Sequence, residues 1–186
     1  MNYSKYFNKA VSYQTYKDNF QEEMTSEVES KYAKYLPQNW QRQSRLDRKL
    51  KLTNALTEAA EKLETQLYWL VITEHWCGDA SQIIPIINGV AEASSGKIIL
   101  RFIYRDENEA LMDAHLTDGK SRSIPMLLQL DKDFKFIKSY GPRPTEAQKL
   151  VKSLLADGDS YDIPLHTWYA KDKQKTIQED LLNFLH

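Results

Sequence analysis

Two short apolar runs most constrain what this chain can become. Leu67-Tyr68-Trp69-Leu70-Val71-Ile72-Thr73 and Ile98-Ile99-Leu100-Arg101-Phe102-Ile103-Tyr104 are nearly continuous in large and β-branched side chains. A strand with one wet face alternates polar and apolar residues, whereas a strand covered on both faces need not. Between the runs, residues 78–93 read as a helix interrupted by Pro85, and Ser94-Ser95-Gly96 reads as a turn. Strand, helix and strand in that order predict a parallel crossover in the middle of a sheet. The pattern then changes. Residues 107–116 predict a short helix stopped near Asp118-Gly119, Met126–Leu130 a third strand, and Asp131-Lys132-Asp133 a hairpin turn into a fourth strand, Phe134–Tyr140. Gly141-Pro142-Arg143-Pro144 breaks the chain before a helix over Thr145–Ala156. The expected class is α/β with a mixed sheet.

The flanks read differently. Tyr16, Phe20, Met24, Val28, Tyr32 and Leu36 recur every four residues and predict a helix over 15–36, ended by Leu36-Pro37 because a residue before proline avoids the α region. A second helix is predicted from Trp40 to Glu64, with Leu46, Leu50, Leu56, Ala60 and Leu63 on its buried side. Residues 157–171 read as irregular, and Ile177, Leu181, Leu182 and Leu185 predict a last helix over 173–185. The expected organisation is a helical N-terminal extension over 1–65, a core over 66–157, and a tail with a helix over 158–186, all in one compact unit.

Composition closes off several functions. Lys+Arg 25 against Asp+Glu 26 leaves a net charge of −1, so no overall basic field exists to hold nucleic acid or an anionic membrane. No apolar run approaches the roughly 18 residues that suggest a membrane span. The polar, aromatic stretch from Met1 to Tyr16 has no signal-like apolar region, so the expected compartment is the reducing cytoplasm. Cys 1 excludes an internal disulfide and a multi-cysteine metal site. His115, His166 and His186 have no ligand spacing, so neither metal nor cofactor is expected.

Chemistry concentrates where the first strand ends, at Glu74-His75-Trp76-Cys77-Gly78-Asp79-Ala80. The single cysteine falls between a strand and a helix. A sulfur at a helix N-terminus meets free N–H groups, which predicts a modestly lowered thiol pKa. His75 reads as a surface histidine. Arg42, Arg45, Arg48, Lys49 and Lys51 read as a solvated basic face.

Trp76-Cys77-Gly78-Asp79-Ala80 resembles the Trp-Cys-Gly-x-Cys site of the thioredoxin superfamily. Pro85, eight residues after the cysteine, resembles that family's kinked helix. Ile124-Pro125 resembles its cis-proline facing the active site, and Gly141 the glycine of the third groove loop. The resemblance covers about half the chain, Leu67 to Ala156, and implies a thioredoxin-like fold. The N-terminal helices and last helix lie outside it and resemble additions in a bacterial thioredoxin-like subfamily.

Two departures limit what the resemblance implies. The family's second cysteine is Ala80 here, so Cys77 has no internal resolving partner. The family's buried acid, six residues before the first cysteine, is Val71. The resemblance therefore implies cell redox homeostasis by monothiol exchange, with Cys77 as the nucleophile and an external thiol as resolver. Trp76, Gly78, Asp79, Ile124, Pro125, Gly141 and Arg143 would form the substrate groove. Arg143 would reach an anionic group beside Cys77. The expected partner is a low-molecular-weight thiol or a protein disulfide. The alternative is a non-catalytic binding module that docks a peptide or partner protein in the groove.

Overall fold

The computed structural model describes residues 1–26 and 30–186. Its centre is a four-stranded sheet: β1 (Leu67–Thr73), β2 (Ile98–Tyr104), β3 (Met126–Leu130) and β4 (Phe136–Tyr140), in the order β2-β1-β3-β4. β1 runs parallel to β2 and antiparallel to β3, and β3 runs antiparallel to β4. This is the mixed α/β sheet expected from the order of elements. Val71, at the position where the superfamily has an acid, is fully buried between Phe102 on β2 and Leu127 on β3. An ionised group there would lose its hydration with no cation in register.

Nine α-helices surround the sheet among the described residues: α1 (Tyr3–Lys9), α2 (Tyr13–Thr25), α3 (Leu36–Lys49), α4 (Asn54–Glu61), α5 (Gly78–Ala93), α6 (Glu109–Asp113), α7 (Thr145–Ala156), α8 (Asp162–Asp172) and α9 (Lys175–Leu185). α5 is the crossover between β1 and β2, and it is apolar nearly all round, from Ile83 to Ile87 and again at Val90. Pro85 lies inside it. Helices packed on both sides explain why β1 needs no polar alternation.

Several expectations change. Pro37 does not end a helix. It sits in the first turn of α3, where its missing N–H costs nothing. α2 stops at Thr25, and Val28 lies outside the described residues. The single helix expected over 40–64 is two. Leu50 turns to an extended conformation, and Thr53 caps α4 by accepting from the Leu56 N–H at 3.3 Å. α1 is an additional element, capped by Asn2, which accepts from Lys5 N–H. Residues expected to be irregular form α8, because Leu165 and Tyr169, four apart, bury one stripe against Ala147 and Val151 of α7. Phe134 takes a positive φ of 58° in the hairpin, so β4 begins two residues later, at Phe136.

Candidate functional site

The end of β1 aims the chain at α5. Cys77 is the residue capping α5, and its Sγ lies 3.5 Å from the Ala80 N–H that points to it. The thiol donates to the Ile124 carbonyl oxygen at 3.3 Å. That contact lays the loop before β3 against the sulfur, and the Ile124–Pro125 bond in it is cis, as the resemblance implies. Gly141 supports that loop from behind. Its φ is +132°, and a Cβ there would collide with the Pro125 carbonyl oxygen. Gly141 thus backs Pro125 and does not line the cavity beside Cys77. The next bond, Gly141–Pro142, is also cis.

Cys77 opens onto a cavity of about 520 Å³. Trp76, Gly78, Asp79, Ile124 and Arg143 share that cavity. Its other walls come from segments that the site motif did not include. Tyr32, Asn39 and Arg42 approach from the N-terminal side, Tyr161 and His166 from the turn before α8 and α8 itself. Trp76 is stacked on Tyr32 with ring centroids 4.3 Å apart, and the Arg105 guanidinium sits 4.8 Å from its ring centre. Asn39 is buried, donates to the His75 carbonyl at 3.1 Å, and accepts from Arg42 Nη1 at 3.0 Å.

Charge is arranged around the sulfur in a way the sequence does not forecast. Asp79 is buried. Arg143 Nε lies 2.8 Å from its Oδ2, and the Tyr169 hydroxyl donates to its Oδ1 at 2.7 Å. Burial pushes the Asp79 pKa up, while Arg143 and Tyr169 pull it down. Arg143 therefore reaches an anion beside Cys77, but that anion is the chain's own carboxylate. The thiol is not lowered as expected. Burial first, and the Asp79 charge second, push it up to about 12, against the backbone N–H groups of Ala80 and Asp79 and the Arg143 charge. The helix-end N–H groups and the Arg143 charge do not offset the hydration lost at a residue that is 7% exposed.

His75 is not on the surface. Its relative exposure is 3%, and its ring stacks on Phe20. Nδ1 meets Glu23 Oε2 at 2.6 Å, and Nε2 meets the Tyr16 carbonyl at 3.1 Å. These contacts tie the site turn to α2 and leave no role as a base for Cys77. The spacing of Tyr16, Phe20 and Glu23 on one helical face is the signal that could have revealed this pocket. Among the described residues, no three His, Cys, Asp or Glu side chains gather to hold a metal ion. No helix among them is long and apolar enough to cross a membrane.

A family model described as Thioredoxin matches residues 25–157, more than half the chain. The chain belongs to the thioredoxin family. Two solved structures share its fold. One is a protein of unknown function, PA1234, from Pseudomonas aeruginosa, with 19% identity, a TM-score of 0.68, and coverage of 98% of this chain and 96% of that one. The other is an HIV epitope-scaffold, with 20% identity, a TM-score of 0.66 and the same coverage. Both likenesses run through the helices at either end as well as the thioredoxin core. No curated protein matches the chain.

Proposed function

We propose that this thioredoxin-family protein carries out thiol–disulfide exchange one thiol at a time, with Cys77 as nucleophile and an external thiol as resolver. The observation that carries this reading is the place of Sγ: it caps α5, touches the Ile124 carbonyl beside cis-Pro125, and borders a cavity. With alanine at position 80, the mixed disulfide waits for a second molecule.

The raised pKa sets the terms. At pH 7 a thiol of pKa about 12 is thiolate in about one molecule in 100,000, against about one in 30 for a free cysteine. The more basic sulfur is the better nucleophile, which returns about 30-fold and leaves a deficit of about a hundredfold. Oriented binding can supply effective concentrations far above that deficit, of order 10⁵ M in favourable cases. Exchange is therefore slow with anything that merely collides and worthwhile only with a substrate held in the cavity.

The same raised pKa favours a second reading, a groove that docks a ligand without chemistry. Turnover separates the two. Wild type should reduce a small mixed disulfide in the presence of excess thiol, and Cys77→Ser should not. Equal rates for the two proteins would leave only the docking reading.

A further inference from the structure

The cavity beside Cys77 has walls that a protein-reducing groove would not need. Residues 32–42 stand on one side and residues 161–166 on the other, with the buried Cys77 between them. A folded protein presents a disulfide with chain on both sides of it. About 520 Å³ is in the range of pockets that enclose small molecules.

The charges in these walls are unequally spent. Arg143 is paired with Asp79, Arg105 with Asp106 at 2.7 Å, and Arg122 with Asp113 at 2.6 Å. Arg42 also lines the cavity, and among the described residues no carboxylate lies within ion-pair distance of it. Its hydrogen-bond partner is the neutral Asn39 Oδ1. Its Nη1 stands 3.7 Å from where a Cβ on Gly78 would be, next to the His166 ring at 3.1 Å, so it faces the first turn after Cys77. His166 Nδ1 is buried with no hydrogen-bond partner. A half-buried guanidinium that no carboxylate among the described residues contacts, and that feels the Asp79 charge only from a distance, is matched by a ligand carboxylate.

We propose that this pocket takes a small thiol compound bearing carboxylates, as its mixed disulfide, with a carboxylate on Arg42, and excludes protein disulfides. The inference rests on the exchange reading above. In the first step, Cys77 sulfur attacks the carboxylate-bearing thiol's sulfur in R–S–S–R′. The Cys77–SR bond forms, the S–S bond breaks, and R′S⁻ leaves with the proton that Cys77 gave up. A second RSH then attacks Cys77–S–SR, releasing R–S–S–R and restoring the Cys77 thiol. R′S is reduced to thiol level, the sulfur of the added RSH is oxidised to disulfide level and the first RS stays at that level throughout, so the added thiol RSH is the only reductant.

Three substrates test it with glutathione as R: the glutathione–cysteine mixed disulfide, the same compound with its glutathione carboxylates esterified, and a folded protein glutathionylated on a surface cysteine. The expected order is the charged small compound at least tenfold faster than either of the others. Arg42→Ala should erase the advantage of charged over esterified compound, and Arg42→Lys should restore part of it. A protein disulfide reduced as fast as the small one, or an Arg42→Ala variant that still prefers the charged compound, would overturn the pocket while leaving exchange intact. If every substrate is inert, exchange itself fails. Calorimetry of unreactive S-methylglutathione then decides the pocket: binding lost in Arg42→Ala keeps it, and no binding to wild type ends it.

Discussion

β1 and the turn that follows it are consecutive seven-residue segments, and they are buried by opposite means. In Leu67–Thr73 apolar neighbours do the work: Leu70, Val71 and Ile72 are all fully buried among β2, β3 and α5. The strand's large polar handle, Trp69 Nε1, is met inside the sheet by Gln129 Oε1 at 3.0 Å. In Glu74–Ala80, side chains from four distant parts of the chain close around polar groups. Glu23 meets His75, Asn39 meets the His75 carbonyl, and Arg143 and Tyr169 meet Asp79. Apolar burial is non-directional and forgiving, whereas a buried polar group is costly unless its own partner is in place. The strand should therefore tolerate change that the turn does not.

The largest test of that contrast is Asp79→Asn. It leaves Arg143 buried without its counter-charge and should cost about 3–5 kcal/mol in urea unfolding. The variant should also alkylate faster at neutral pH, because the charge pushing the Cys77 pKa up is gone while Arg143 still pulls it down. Adding Arg143→Met should recover much of the lost stability, since it removes the uncompensated cation. No recovery would mean the pair is not what holds the turn.

Tyr169→Phe is the milder break. It takes one donor from a buried carboxylate and should cost about 1–3 kcal/mol. On the strand side, Ile72→Val removes one methylene from a fully buried position and should cost about 0.5–1.5 kcal/mol. A strand variant more damaging than Tyr169→Phe would reverse the comparison.

A last test is one of pH. Glu74, at the start of the turn, is raised to about 7, by burial first, although its carboxylate accepts from the Asp106 N–H at 2.8 Å. A carboxyl with a raised folded-state pKa favours folding at low pH. That contribution is complete below the unfolded value and is lost as pH rises through about 7. Glu74→Gln should flatten the fall in stability between about pH 5 and pH 7. A steeper fall in the variant would contradict the assignment.

The same contrast explains what was legible in the residues. The buried strands, the crossover helix with Pro85, and the Ile124–Pro125 loop against Cys77 all follow from local runs and a short motif. The state of the thiol does not. It is decided first by burial and then by the Asp79 charge, whose partners Tyr169 and Arg143 lie 90 and 64 positions away (169 − 79 and 143 − 79). Local pattern also misled at Pro37, which reads equally well as a helix stop or a first-turn residue, and at His75, whose burial depends on a face of α2 far away in sequence. α8 is illegible in the residues because its one apolar stripe, Leu165 and Tyr169, is too short to register as a period.

The central claim is that Cys77 exchanges thiols despite its burial, and intact mass reads it directly. Native protein freed of reductant is incubated at pH 8 with a small mixed disulfide. The account predicts a single adduct of one small thiol, located on Cys77, that a second thiol removes. Native protein that stays unmodified while the urea-unfolded chain is fully labelled would contradict it.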